Sequence, residues 1–196
     1  GGRPSGPRRR ALDPAHATMS RTPLTPLPLL PPGLALAGAV VAVSFAGPLV
    51  RFATAPALVI SAWRLLFSMA FIGVVLLARG SLLGGVRLSR REWALGLGAG
   101  LLLAGHFWAW IASIQLTTVA SSVVLVSTQP LFVAGFSVLF LREPPARRQW
   151  LGIGVAVAGA GVIGWGDLAL GGQALLGDAL ALGASLMAAG YFSIGR

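Results

Sequence analysis

Six long apolar runs divide this chain, and they restrict its fold more than any other feature. They cover residues 33–52, 57–78, 93–115, 119–141, 150–166 and 174–194. A helix of about 20 mostly apolar residues crosses the hydrocarbon core of a bilayer. Because lipid offers no hydrogen-bond partner to backbone amides and carbonyls, such segments must be helical. The sequence therefore predicts an all-α, polytopic transmembrane bundle of about six spanning helices.

The composition excludes an ordinary soluble domain. Hydrophobic residues make up 56% of the chain and charged residues only 10%, whereas about a quarter of a soluble domain is charged. A net charge of +10 could indicate nucleic-acid binding, but the basic residues are all arginine and lie mostly in the N-terminal tail and two loops. We therefore expect a lipid bilayer, and no nucleic acid, as the partner of this surface.

The arginines also predict the topology, because most of them fall on one side of the alternating runs. The N-terminal segment and the loops after the second and fourth runs carry Arg8, Arg9, Arg10, Arg21, Arg79, Arg87, Arg90, Arg91, Arg142, Arg147 and Arg148. The positive-inside rule then places the N-terminus in the cytoplasm of a multi-pass protein of the inner or plasma membrane. Residues 1–32, rich in Pro and Arg, are expected to be a disordered cytoplasmic tail.

Small residues recur every four positions in three of the runs, which is typical of closely packed membrane helices. The three ridges are Gly38, Ala42 and Ala46; Ala156, Ala160 and Gly164; and Gly177, Ala181, Ser185 and Ala189. Each ridge is either a helix interface or a reflection of the abundance of Gly and Ala in this chain.

Two motifs of enzymes occur in contexts that argue against catalysis. Residues 159–164 read GxGxxG, but no strand precedes them and they lie inside an apolar run. The sequence Gly-Trp-Gly-Asp ends at Asp167, near the rim of the membrane, and Asp178 lies near the same rim. No nucleophile–base pair or metal-ligand pattern accompanies them. The sequence thus predicts no enzyme, no catalytic residue, no metal and no cofactor.

Ionisable residues inside the runs are functional candidates, because burying them in a bilayer is costly. Arg64 lies eight residues into the second run, roughly 10 Å below the outer rim at 1.5 Å per residue. Its long stem could snorkel to the surface or clamp carbonyls, or its charge could contact an anionic substrate group.

His106 lies near the middle of the third run and shares one helix face with Trp110, Ser113 and Thr117. This histidine is either a hydrogen-bonded helix link or a group that handles substrate or protons. Proton coupling through His106 is a hypothesis, based on the titration of histidine near neutral pH.

In the fourth run, Gln129 lies at a depth in the membrane similar to that of His106, and Pro130 follows it. Proline cannot donate to the carbonyl of Val126, so a kink is expected there. Bent helices at the midplane commonly line transporter sites, although a packed structural kink is the alternative.

Together these features resemble the EamA family of the drug/metabolite transporter superfamily. The resemblance is carried by the sequence of residues 106–122, by Gln129-Pro130, by Leu-Phe-Leu-Arg-Glu at residues 139–143, and by Trp-Leu-Gly at residues 150–152. It implies ten helices in two homologous five-helix halves that form an inverted repeat, with a substrate cavity between them. It also implies a permease that exports small metabolites by alternating access.

The resemblance further implies the domain organisation. Residues 1–32 would be the tail, 33–166 the first five-helix repeat, and 167–196 a loop and the first helix of a truncated second repeat. Aligning Arg196 with Arg51 pairs Gly183 with Gly38, a weak sign of that repeat. We expect a fragment of a longer transporter. The alternatives are a half-transporter that acts only as an oligomer, such as a homodimer, and a membrane subunit that transports nothing.

The predicted substrate-binding residues come from both halves of this arrangement. Arg64, His106, Trp110 and Gln129 belong to the first repeat, with Pro130 as the helix kink, and Ser185 and Tyr191 of the sixth run are weaker candidates.

Overall fold

The computed structural model of this protein describes residues 31–78, 88–142 and 145–195. The predicted tail, apart from its last two residues, and most of the arginine-rich loop after the second run lie outside these ranges. The chain forms two compact units, residues 1–38 and 39–196. The described part of the first unit is the beginning of the first helix, and the packing discussed below belongs to the second.

Within the described ranges, the chain is helical and contains no strand. The helices are α1 (Pro32–Ser44), α2 (Ala46–Phe52), α3 (Ala57–Ala78), α4 (Arg90–Leu116), α5 (Val119–Val126), α6 (Gln129–Phe136), α7 (Arg147–Asp167) and α8 (Gly172–Ile194), with a π-helical turn at Ser137–Leu141 and a 3₁₀ turn at Leu168–Leu170. They combine into six segments long and apolar enough to span a membrane. The predicted fold class is confirmed.

Polar side chains fix the start of α4, the longest helix, and the turn that follows it. At its start, the Ser89 hydroxyl accepts a hydrogen bond from the Glu92 amide at 3.3 Å, and the Glu92 carboxylate accepts one from the Ser89 amide at 2.6 Å. This reciprocal capping satisfies two amide donors that a helix start leaves unpaired. At its end, Thr118 caps α5 by accepting from the Ser121 amide at 3.0 Å. The turn between α4 and α5 is therefore short and well defined.

The fourth span is broken at the level where Pro130 predicts a kink. Helix α5 ends at Val126 and α6 begins at Gln129, so Ser127 and Thr128 form a turn between them. The Thr128 hydroxyl donates to the Leu125 carbonyl at 2.6 Å, which supplies that carbonyl with a side-chain partner. The sequence expectation of an irregular fourth helix is confirmed.

Helices α4 and α8 pack antiparallel at very short range. A Cβ atom at Gly177 would lie 2.8 Å from the backbone nitrogen of Thr117, and one at Gly105 would lie 2.7 Å from the Met187 sulfur. Close approach of this kind requires glycine and gives membrane helices their van der Waals contact. The ridge of Gly177, Ala181, Ser185 and Ala189 is buried, which confirms it as an interface.

The other two ridges are less enclosed. Gly38 and Ala42 are exposed, and Ala156 of α7 is exposed as well.

The apolar core lies where α4 meets α2, α3 and α8, and consists of Val50, Ala57, Ala109, Trp110, Ile111, Ile114 and Ala184. Large apolar side chains elsewhere face outward, as expected for surfaces in contact with lipid.

Candidate functional site

Helix α4 carries the polar face predicted from the sequence, and most of it is turned inward. Trp110, Ser113 and Thr117 are buried, and His106 is half-buried. These positions are separated by three or four residues, so they share one side of the helix. Trp108, on another side, is 41% exposed. The sequence therefore identified the inward side of α4 correctly.

His106 links α4 to α8. Its Nδ1 lies 2.8 Å from the carbonyl oxygen of Ala184. Since a carbonyl only accepts, Nδ1 carries the hydrogen, and in a neutral imidazole Nε2 is then an acceptor. The ring also makes an edge contact with Phe107, with 5.1 Å between centroids. His106 thus fixes the register of two helices and keeps one ring nitrogen available for a ligand.

Arg64 extends from α3 towards the same part of α4. Its guanidinium carbon lies 4.7 Å from the centroid of the Phe107 ring and 5.3 Å from that of the Trp110 ring. Both distances are within the range of cation–π attraction. The Arg64 side chain is half-buried and forms neither a hydrogen bond nor an ion pair with any residue that the structure describes. A charge within a span is therefore held by aromatic faces, and none of its five N–H donors has an acceptor among the described residues.

Trp110 adds a second donor without an acceptor. Its indole nitrogen Nε1 is buried and has no hydrogen-bond partner among the described residues. Buried polar groups are normally paired, and an unpaired indole N–H calls for an explanation. Its ring also borders a cavity of about 450 Å³ between α1, α2 and α5, a size suited to a small molecule. The side chains of Arg64 and Trp110 therefore both present hydrogen-bond donors that have no acceptor among the described residues.

The remaining predicted residues lie elsewhere. Ser185 is fully buried, 3.3 Å from the Thr128 hydroxyl at the α5–α6 break. Gln129 and Pro130 line a different cavity, of about 650 Å³, between α6 and α7. Tyr191 makes an edge contact with Phe192. It lies seven residues beyond Ala184, or about 10 Å along the helix.

The structure therefore brings Arg64, Trp110 and His106 together through Phe107, and no described polar or ring contact joins Gln129 or Tyr191 to them. Their roles in substrate binding remain predictions.

Sequence reasoning missed Phe107, although an aromatic residue beside His106 was visible in the run. It also underrated Asp178, because a position near a rim gave no sign that α8 packs against Thr117. Among the described residues, no group of three or more His, Cys, Asp or Glu side chains could hold a metal ion.

Comparison with known protein families identifies the family of this chain. The model of the EamA-like transporter family matches residues 31–165, which is more than half of the chain. No curated protein and no solved structure matches it. The matched region extends from the start of α1 into the end of α7 and includes Arg64, His106 and Trp110.

Proposed function

This chain belongs to the EamA-like transporter family, and from that premise we propose that it exports a small metabolite bearing an anionic group. The site would consist of Arg64, Trp110 and His106. The observation that supports this most strongly is the Arg64 guanidinium, which lies within a span and has aromatic faces but no acceptor among the described residues.

The chemistry of these groups favours an anion with an apolar body. An unpaired charge in a membrane is costly, so its ionic partner is expected to arrive with the ligand. A carboxylate or similar anion could accept two N–H bonds from the guanidinium fork and a third from Trp110 Nε1. The Phe107 and Trp110 rings would contact the apolar part. His106 Nε2 would accept a hydrogen bond from a hydroxyl or ammonium group of the same ligand.

Alternating access is the transport mechanism we propose. The break between α5 and α6 allows the two parts of the fourth span to move separately, and discontinuous helices are common at transporter sites. Thr128 connects the break to Ser185 of α8, so a change in the fourth span would reach the α4–α8 contact. The family match supports transport across the membrane, and the outward direction is part of the proposal.

Ligand binding to the purified protein in lipid nanodiscs tests the site. A panel of small amphipathic acids should be compared with the corresponding amides and amines, because these differ mainly in charge. We expect binding of at least one acid, little binding of its amide, and loss of binding in Arg64→Gln. Arg64→Lys keeps the charge without the planar fork and should bind weakly.

The control is Arg51→Lys, since Arg51 lies outside the proposed site. Equal binding of acid and amide, or binding that survives Arg64→Gln, would contradict the proposed specificity. Transport itself is tested by efflux of the identified acid from proteoliposomes. A protein that binds the acid but moves none of it would indicate a membrane subunit rather than a carrier.

A further inference from the structure

Two aspartates form a buried pair beside the turn between α4 and α5. Asp167 ends α7 and is 5% exposed, and Asp178 of α8 is 7% exposed. The Thr117 hydroxyl contacts Asp167, and a Cβ atom at Gly177, the neighbour of Asp178, would lie 2.8 Å from the Thr117 nitrogen, so both aspartates lie beside Thr117. The pair is therefore enclosed by protein on three sides, from α4, α7 and α8.

The hydrogen bonds around this pair are unequal. The Thr117 hydroxyl donates to Oδ2 of Asp167 at 3.2 Å. Neither carboxyl oxygen of Asp178 accepts a hydrogen bond from any residue that the structure describes. Because a hydroxyl has a single proton, Thr117 cannot serve both carboxylates at once. Asp178 is thus a nine-tenths buried carboxyl group without a donor.

Among the residues that the structure describes, no cation pairs with either aspartate. Arg51 of α2 reaches the same turn, but its Nη1 donates to the carbonyls of Ile114, at 2.6 Å, and Thr117, at 3.3 Å. Within the described ranges neither aspartate forms an ion pair.

The helices around α8 supply no other ionisable neighbour. Helices α5 and α6 have no ionisable side chain, and neither does the turn Leu168–Leu170. In α4 and α7, most ionisable residues other than Asp167 lie at the helix ends far from Asp178: Arg90, Arg91, Glu92, Arg147 and Arg148. The remaining one, His106, is hydrogen-bonded to the Ala184 carbonyl. Asp167 is the ionisable group that faces Asp178 in this part of the chain.

Two buried carboxylates that share a site cannot both be ionised without strong repulsion. A single proton removes the repulsion between the carboxylates and also gives Asp178 a hydrogen bond. A protonated Asp178 becomes a donor, and Asp167 becomes its acceptor. A metal ion fits less well. Cations that prefer oxygen take about six or more ligands, whereas this site offers two carboxyl groups and one hydroxyl, and Arg51 already binds the Thr117 carbonyl.

We propose that Asp167 and Asp178 form a proton-binding site that holds one proton and one negative charge. A proton from water adds to a carboxylate of the pair and returns to water when the site opens. Asp178 borders a cavity of about 580 Å³ that Thr128 of the α5–α6 break also lines. Movement at the break would change the access of water to the pair. The pair is therefore the entry point of a proton that drives transport, a role that rests on the proposed function.

Infrared spectroscopy of the whole chain in nanodiscs tests the proton directly. The wild type should show the C=O band of a protonated carboxyl group at neutral pH. The band should disappear in Asp178→Asn and shift in Asp178→Glu, which keeps the acid and remains informative if the amide variant folds poorly. Glu92→Gln, which alters an exposed capping carboxylate, should leave it unchanged. A wild type without the band, or a band unaffected by every Asp167 and Asp178 variant, would overturn the proposal.

Two further arms separate the alternatives. Replacing choline chloride by sodium chloride at constant pH should leave the band unchanged, and its loss would overturn the proposal in favour of a metal cation. In proteoliposomes, a pH gradient should drive accumulation of the identified substrate by the wild type but not by Asp178→Asn. Gradient-independent accumulation by an otherwise active wild type would refute the coupling role. A wild type that exchanges no substrate would refute the transport proposal instead, and the infrared band would still decide the proton site.

Discussion

Arg51 and Arg64 lie on neighbouring spans, yet their guanidinium groups have opposite surroundings. Arg51 points along the end of α4 and donates to two backbone carbonyls, those of Ile114 and Thr117. Arg64 lies over the rings of Phe107 and Trp110 and donates to no described acceptor. The first arginine completes the hydrogen bonding of a helix end, and the second leaves its own hydrogen bonding incomplete.

In terms of the proposed site, this difference separates an arginine that stabilises the fold from one that would bind a ligand. A helix end leaves its last carbonyls without amide donors, so an arginine there stabilises the fold. An arginine with unused donors contributes little to stability, because cation–π contacts replace only part of its hydration. In the proposed function, the ligand supplies the acceptors. Substitutions at the two positions should therefore affect different properties.

The largest effect is expected from Arg64→Gln, measured as the dissociation constant of the best acidic ligand. Losing charge-assisted hydrogen bonds worth roughly 3 kcal/mol would weaken binding about a hundredfold. The melting temperature in detergent should change little, since the Arg64 side chain makes no hydrogen bond with any residue that the structure describes. A large fall in melting temperature would show that Arg64 is structural like Arg51 and would remove the contrast.

The next largest effect should come from Arg51→Ala, and it should appear in stability. Two carbonyls at the end of α4 lose a charged donor, which costs about 2 kcal/mol. We expect a lower melting temperature with ligand affinity preserved in the folded fraction. Arg51→Lys retains a donor and should recover part of the loss. Reduced affinity at unchanged stability would place Arg51 in the ligand site.

Gly177→Ala tests the turn at Thr117, whose carbonyl accepts a hydrogen bond from Arg51, by changing the residue of α8 that packs against it. The new methyl group would lie 2.8 Å from the Thr117 nitrogen, so α8 or the turn must shift, at a cost of about 1 to 3 kcal/mol. Because residue 177 does not contact Arg64, the variant should lower the stability of the fold. Gly154→Ala of α7, where nothing lies within 4 Å, is the matched control and should be neutral. Equal behaviour of both variants would contradict the tight α4–α8 contact.

The smallest effect is expected from Trp110→Phe, which removes the Nε1 donor and keeps an aromatic face for Arg64. A single neutral hydrogen bond contributes about 1 kcal/mol, so binding of the acid should weaken roughly fivefold. Binding of the matching amide should weaken less. An unchanged affinity for the acid would show that Trp110 packs against Arg64 without contacting the ligand.

Much of this fold could be predicted because membrane insertion imposes simple rules on the sequence. Length and polarity identified six spans, and periodicity identified the inward face of α4. Pro130 located the break in the fourth span to within a few residues. These features depend on local chemistry, which a single sequence states directly.

The candidate site was only partly predictable, because its members meet through contacts distant in sequence. Helical spacing connects His106 with Trp110, but nothing local indicates that Arg64 lies over Phe107. Likewise, Asp178 was read as a rim residue because sequence alone does not reveal which helix covers it. Which of the small-residue ridges forms an interface was also open, since composition does not specify a partner.

The contact between α4 and α8 also sets an order of events during synthesis. His106 and its acceptor Ala184 are 78 residues apart in the chain. At a translation rate of 5–20 residues per second, roughly 4–16 s separate the synthesis of the two residues. During that interval the His106 side chain of α4 lacks its acceptor on α8. We expect α4, the third span, to bind an insertase or a chaperone that shields its polar residues until α8 has been synthesised.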